Sequence, residues 1–161
     1  KLLDIDRPLV LDADGLNALD GCPEQLQRRT APTVLTPHEG EFLRVGGDLS
    51  QGRTAAATEF AHQSGAVVVL KGPGTVVAGP DGRCRVNTTG NCGMAKGGSG
   101  DVLAGMLGAL LCQMPARDAV QTAVWLHARA GDLCAGRMGE YAMNPTDVIA
   151  ALPEVTKPII R

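Results

Sequence analysis

A glycine-rich segment runs into an apolar stretch at residues 87–105, with the sequence NTTGNCGMAKGGSGDVLAG. Five glycines fall within the eleven residues 90–100, so successive backbone N–H groups can converge on an anion. The stretch VLAGMLGALL that follows predicts a buried helix, and the positive end of a helix also favours an anion. A flexible solvent loop would not run into so apolar a helix. The segment therefore predicts a phosphate cradle at a helix start.

Two charged residues of this segment could take part in chemistry. Asp101 stands where the cradle meets the predicted helix, and a carboxylate there is favourable as a simple cap. Beside a bound phosphate, the same carboxylate can accept a proton from a hydroxyl during phosphoryl transfer. Lys96 lies inside the cradle, where it could contact phosphate or face solvent. The residues themselves leave these alternatives open.

A second cluster follows the β-branched run AVVVL at residues 66–70. Its glycines permit close backbone approach to a ligand, and its lysine could contact phosphate, although a plain β-turn is nearly as good an interpretation. The proline in it lacks an N–H donor. The cluster consists of Lys71, Gly72, Pro73, Gly74 and Thr75.

Polar residues also follow two shorter apolar runs. Asp12, Asp14 and Asn17 come after PLVL and could organise Mg²⁺ through water or cap a helix. His38 comes after TVLTP and is either a ligand contact or, as lone histidines more often are, structural. In an open α/β sheet the carboxyl ends of the strands form the ligand-binding edge, so we expect these clusters to lie there together.

The elements that must position these residues alternate between strand and helix. This order predicts a layered α/β sheet with a small antiparallel excursion, built as a single domain over residues 1–161. We predict strands at 8–12, 33–36, 66–70, 75–78 and 83–87, and helices at 51–62, 101–112, 117–135 and 145–152. Pro153 is expected to stop the last helix.

Composition excludes several classes of function. A net charge of −2 gives no reason to expect nucleic acid or an anionic membrane surface, and no apolar run reaches the roughly 18 residues that span a bilayer. Five scattered cysteines without a CxxC pair indicate reduced thiols and a cytoplasmic protein. With 44% apolar but only 2% aromatic residues, the core must be aliphatic.

The motifs together resemble the NAD(P)H-hydrate dehydratase family over essentially the whole chain, in the right order. The most specific of them is the glycine-rich block. The matching segments are DADGLNAL at 12–19, LTPHEGEF at 35–42, VLKGPGT at 69–75, TGNCGMAKGGSGDVLAG at 89–105, HARAGDLCA at 127–135 and MNPTDVIAALP at 143–153.

This resemblance implies a ribokinase-like fold and a repair reaction. ADP or ATP, with Mg²⁺, would phosphorylate the ring hydroxyl of hydrated NADH or NADPH (NADHX or NADPHX), and loss of phosphate would regenerate NADH or NADPH. It implies that His38 and Asp101 contact the hydrated dinucleotide, with Asp101 catalytic, and that no side chain is assigned to a metal. It places the adenine nucleotide on Lys71, Gly72, Pro73, Gly74, Thr75 and Gly100. The motif spellings resemble those of bacterial members of the family, which generally use ADP, so the resemblance favours ADP over ATP.

The sequence departs from the family pattern at single positions and in length. Pro73 replaces the usual alanine, Glu39 the usual proline, Gly15 the usual alanine and Lys96 a small residue. The chain begins at Lys1, and family members carry roughly a hundred further residues upstream, within the usual size of one domain. We therefore expect the N-terminal part of the fold to be missing. We also expect a homo-oligomer, and a companion chain could supply the missing N-terminal segment.

Two other functions fit the same residues. A ribokinase-like kinase of a small alcohol, such as a thiazole or pyrimidine alcohol, would use the same cradle and Asp101 but keep its phosphorylated product. A non-catalytic nucleotide-binding remnant would bind AMP or ATP without turnover. Recovery of reduced nicotinamide from hydrated NADH separates the dehydratase from both.

We predict that the purified 161-residue chain alone dehydrates hydrated NADH weakly or not at all with ADP or ATP, because part of the site is expected upstream of Lys1. The measurement is the return of reduced-nicotinamide absorbance. Full dehydratase activity from this chain alone would contradict the prediction.

Overall fold

A computed structural model describes residues 2–19 and 21–157. Its five strands lie in the order in which they occur along the chain. The first three are parallel neighbours, and the fourth and fifth add to the sheet in antiparallel fashion. The strands are β1 (Leu9–Leu11), β2 (Thr33–Leu35), β3 (Val67–Leu70), β4 (Val76–Ala78) and β5 (Cys84–Val86).

Six α-helices connect and cover the sheet. Short 3₁₀ turns at Leu2–Asp4, Pro23–Arg28 and Cys92–Met94 complete the described chain. The helices are α1 (Asp14–Asn17), α2 (Glu39–Arg44), α3 (Arg53–Ser64), α4 (Ser99–Leu111), α5 (Ala116–Met138) and α6 (Pro145–Thr156).

The alternation of side chains along β3 divides the core into two layers. Val68 and Leu70 pack with Phe60 of α3 on one face of the sheet. Val69, between them, packs with Leu107 of α4 on the other face. Because successive residues of a strand point to opposite faces, a run of apolar residues serves both layers. The sheet is therefore covered by helices on both sides.

The predicted α/β class, the five strands and the hairpin excursion are confirmed, with boundaries that shift by a few residues. The Gly65 backbone ends α3 in the left-handed conformation, as expected for a glycine cap. The expected stop at Pro153 is wrong, since α6 continues to Thr156. Pro153 removes one N–H donor from α6, but Val155 beyond it is buried in the α5–α6 core, which favours continuing the helix.

The short helix α2 was not predicted from the sequence, although it anchors one layer of the core. Phe42 is fully buried, and its ring lies 5.0 Å from that of Phe60, centroid to centroid. A Cβ atom on Gly47 would stand only 2.3 Å from the Phe42 ring, so the chain after α2 closes directly over it.

Replacing Phe42 with alanine should lower the free energy of unfolding by about 3–5 kcal/mol, because a buried aromatic ring is replaced by a cavity. The neighbouring Leu43 is 55% exposed, so Leu43→Ala should change it by less than about 1 kcal/mol. Urea unfolding of both variants measures the difference. Equal losses from the two variants would contradict the prediction.

Candidate active site at the carboxyl edge of the sheet

The ends of β1, β2 and β3 bring three predicted residues to one edge. Asp12 follows β1, and its Oδ1 atom accepts hydrogen bonds from Lys71 Nζ at 2.6 Å and Thr36 Oγ1 at 2.9 Å. Lys71 follows β3, and its backbone N–H donates to the carbonyl of Pro37 at 2.8 Å. A bridge pairs Lys71 with His38 in parallel register. The parallel strands therefore gather Asp12, His38 and Lys71, as the sequence predicted.

His38 begins helix α2 and is held by Glu41. The His38 backbone N–H donates to Glu41 Oε2 at 2.8 Å, and the Glu41 N–H donates to His38 Nδ1 at 3.1 Å, which forms a capping box. Since Nδ1 accepts a hydrogen bond, the proton of the neutral ring is assigned to Nε2. Nε2 lies 3.5 Å from Glu41 Oε1, and the ring is 55% exposed, so a ligand that takes the Nε2–H donor competes with Glu41 for it.

Lys71 lies between two carboxylates. Besides Asp12 at 2.6 Å, its Nζ atom lies 3.7 Å from Glu41 Oε2. All three side chains are largely shielded from solvent, with exposed fractions of 22% for Lys71, 16% for Asp12 and 9% for Glu41. A charged hydrogen bond in such a site contributes about 1.5–3 kcal/mol. The Lys71–Asp12–Glu41 cluster carries a formal charge of −1, so Lys71 is already committed to protein carboxylates before any ligand binds.

The start of α4 lies directly against this cluster. A Cβ atom on Gly100 would stand 3.3 Å from Asp12 Oδ2 and 3.5 Å from Lys71 Nζ. Gly98 caps the helix with φ at +92°, a conformation that favours glycine. Among the described residues, the backbone N–H groups of Gly98, Gly100 and Asp101 donate to no protein acceptor. They are the orphan donors expected of an anion cradle.

Asp101 is the third residue of α4, so it is not the N-cap that the sequence left open. Its side chain is exposed. Within residues 2–19 and 21–157 its carboxylate has no hydrogen-bond or ion-pair partner. The carboxylate is therefore free to act on a ligand beside the cradle.

The turn after Lys71 is shaped by Arg53, a residue that sequence reasoning missed. Arg53 donates to the carbonyls of Leu70, Lys71 and Pro73 at 2.9–3.1 Å. Gly72 and Gly74 both have positive φ, at 144° and 63°. Arg53 sits in the first turn of an alanine-rich helix, and nothing in its local sequence marks it as a partner of a distant turn.

Lys96 is held by backbone carbonyls. Its Nζ atom donates to the carbonyls of Tyr141 at 2.7 Å and Met143 at 2.5 Å, in the connection between α5 and α6. Two of its three N–H donors are therefore used in joining the cradle to that connection.

Beneath the cradle lies a buried histidine to which the sequence assigned no role. His127 of α5 is 7% exposed, and its Nε2 atom lies 3.5 Å from Ser99 Oγ at the start of α4. Burial lowers the pKa of His127 to about 4, because the charged ring would lose its hydration. The ring is therefore neutral at physiological pH.

Comparison with known proteins identifies the family. The family pattern described as NAD(P)H-hydrate dehydratase matches residues 1–154. The chain belongs to the NAD(P)H-hydrate dehydratase family. Relatives include a bifunctional NAD(P)H-hydrate repair enzyme from Gloeobacter violaceus, 55% identical over 132 residues, which are 80% of this chain and 26% of that protein. An ADP-dependent (S)-NAD(P)H-hydrate dehydratase from Bacillus subtilis is 40% identical over 161 residues, 97% of this chain and 56% of that protein.

Solved structures show the same fold. The ADP/ATP-dependent NAD(P)H-hydrate dehydratase from Bacillus subtilis, co-crystallised with ATP and Mg²⁺, superposes with a TM-score of 0.89 at 38% identity, covering 98% of this chain and 57% of that one. A ribokinase-like superfamily protein from Enterococcus faecalis superposes with a TM-score of 0.74 at 30% identity, covering 98% and 64%. The predicted ribokinase-like fold is confirmed.

The chain spans between about a quarter and somewhat more than half of the length of the curated relatives compared here. None of the helices within residues 2–19 and 21–157 is long and apolar enough to cross a bilayer.

The neutral His127 should make stability depend on pH. Its pKa is lower in the folded chain, about 4, than the ordinary 6.5, so the unfolded chain binds the proton first and stability falls as pH drops from about 6.5 to 4. His127→Gln removes this contribution. The gap in unfolding free energy between wild type and variant should narrow by on the order of 2–3 kcal/mol over that range.

Urea unfolding as a function of pH measures this gap. His62→Gln is the matched control because His62 is exposed on α3, and its gap to wild type should not change in the same way. A gap for His127→Gln that stays constant with pH would contradict a neutral buried ring.

Proposed function

We propose that this chain carries out ADP- or ATP-dependent dehydration of hydrated NADH and NADPH, a nicotinamide-nucleotide repair reaction. The observation that carries the proposal is the contact between the cradle at the start of α4 and the Lys71–Asp12–Glu41 cluster, with His38 and Asp101 at its margins. Family membership over residues 1–154 supports it.

The unpaired N–H groups of Gly98, Gly100 and Asp101 are suited to the transferred phosphoryl group. Preorganised donors stabilise charge that develops in a transition state at no reorganisation cost. We assign the adenine nucleotide to this helix start together with the turn Lys71, Gly72, Pro73, Gly74 and Thr75. Pro73 offers no N–H, so that part of the turn can contribute only its carbonyl, which Arg53 already holds.

Asp101 is assigned as the base that accepts the proton of the ring hydroxyl. The hydroxyl oxygen then attacks the terminal phosphorus of ADP or ATP. Phosphorylation converts the hydroxyl from a poor leaving group into a good one. Departure of phosphate breaks the C–O bond, and loss of a proton from the adjacent ring carbon forms the double bond of the reduced nicotinamide. His38 is assigned to the dinucleotide as a donor through Nε2–H, since its Nδ1 is occupied by the Glu41 N–H.

The residues present fit a magnesium ion that is bound mainly by phosphate oxygens and water. No group of three His, Cys, Asp or Glu side chains in the described chain could hold a metal alone, and Mg²⁺ in nucleotide sites commonly takes only one or two protein carboxylates. Asp12 is the candidate, because its Oδ1 is engaged by Lys71 while Oδ2 faces Gly100. The ion would neutralise phosphate charge.

The cytoplasm is the proposed location, supported by five cysteines that are all free, which fits a reducing compartment. The homo-oligomer and the companion chain expected from the sequence stay predictions.

Asp101→Asn should lower kcat for dehydration by roughly 10²- to 10⁴-fold, the usual contribution of a general base. ADP affinity should be kept, because the backbone N–H donors remain. The assay supplies the companion segment expected from the sequence and follows recovery of reduced nicotinamide from hydrated NADH with ADP or ATP. Calorimetry gives ADP affinity.

Asp118→Asn is the matched control, since Asp118 is also an exposed first-turn aspartate, on α5. It should leave turnover unchanged. Unchanged turnover in Asp101→Asn would remove Asp101 from the chemistry, and accumulation of a stable phosphorylated alcohol without nicotinamide recovery would argue against the dehydratase.

A further inference from the structure

The upstream limb of the cradle, residues 90–94, is fastened to α5 by one carboxylate. Asp132 Oδ2 accepts from the Gly90 backbone N–H, and Asp132 Oδ1 accepts from Asn91 Nδ2, each at 3.0 Å. Asn91 Oδ1 in turn accepts from the Gly93 backbone N–H at 3.1 Å. Both oxygens of Asp132 are thus directed at the limb, and Asn91 relays the contact to the next turn.

The limb fits against α5 and the following connection with no room to slide. A Cβ atom on Gly131 of α5 would stand 2.4 Å from Met94 Sδ, and one on Gly93 would stand 2.5 Å from the Glu140 carbonyl oxygen. Close packing of this kind restricts the positions that the limb can take. The hydrogen bonds that Asp132 accepts from Gly90 and Asn91 determine which of the available orientations the limb takes.

Asp132 has no basic partner within residues 2–19 and 21–157. A negative charge close to a phosphate cradle opposes anion binding, so its electrostatic effect alone would be unfavourable. What Asp132 supplies is geometry: it turns the Gly90 N–H and the Asn91 amide toward α5, and the backbone from Gly93 onward then leads to the donors at Gly98 and Gly100.

We propose that Asp132, acting through Asn91, is a positioning residue. It orients the backbone N–H donors of the cradle toward the phosphoryl group. This role rests on the proposed function of the cradle. In this proposal Asp132 acts through Asn91 and the cradle backbone, without contacting substrate or nucleotide.

The donors and acceptors of these hydrogen bonds allow a test in which the aspartate and the asparagine are exchanged between positions 132 and 91. In Asp132→Asn an amide NH₂ must face another donor, whichever way the amides turn, because Gly90 and Gly93 both require acceptors. In Asn91→Asp two carboxylates face each other. In the double variant, the amide introduced at position 132 accepts from the Gly90 N–H and donates to the carboxylate introduced at position 91. That carboxylate also accepts from the Gly93 N–H, so every bond is restored.

Each single variant should lower kcat/KM roughly 10- to 100-fold, the loss expected when a site is displaced by about 1 Å. ADP affinity should fall, and amide hydrogen exchange should accelerate in residues 88–94, while the melting temperature stays close to wild type. The double variant should recover most of the loss. The control is again Asp118→Asn, about 20 Å away along α5 by helix rise.

Single variants that behave like Asp118→Asn in activity and ADP affinity would overturn the proposal. A double variant whose kcat/KM is as low as that of the worse single variant would also overturn it. The same holds if the activity that each variant loses equals the fraction of that variant that is unfolded. A wild-type protein that still lacks dehydratase activity when the companion segment expected from the sequence is supplied would overturn the proposed function. The ADP affinities and exchange rates would still decide the role of Asp132.

Discussion

The position of Lys71 between Asp12 and Glu41 is the constraint on which the site depends. Asp12 ends β1, Lys71 ends β3, and Glu41 lies in the first turn of α2, so one ammonium group joins three elements. Without it, two shielded carboxylates would face each other in a medium where like charges repel strongly. Glu41 also caps α2 through His38. The ion cluster therefore fixes the orientation of the histidine as well as the strand ends.

A cluster with a formal charge of −1 is an unusual neighbour for a phosphate. Under the proposed function, backbone N–H groups take the place of further cations, since unpaired donors such as those at Gly98 and Gly100 attract an anion without a counter-charge. Lys96, the remaining cation of the cradle, is directed away to the carbonyls of Tyr141 and Met143. The cradle is thus built from dipoles whose direction matters more than their charge.

The sequence predicted the parts of the site that follow from local pattern and strand topology. Apolar runs ending in polar residues located Asp12, His38 and Lys71, and glycine density located the cradle. It could not predict contacts between distant residues: Asp12 and Lys71 are 59 positions apart, and Gly90 and Asp132 are 42 apart. Arg53 was missed for the same reason. The error at Pro153 arose because tertiary packing of Val155 outweighed local propensity.

The close approach of Gly100 to Asp12 brings the ion cluster and the cradle together. A Cβ at this position would stand 3.3 Å from Asp12 Oδ2, so only a glycine lets the start of α4 lie this near the cluster without a shift. Any change in the contact between Lys71 and Asp12 therefore changes the charge felt by the N–H groups of α4. Under the proposed function, nucleotide affinity and the electric field at Asp101 both depend on this ammonium–carboxylate contact, although Asp101 itself has no partner in the described chain.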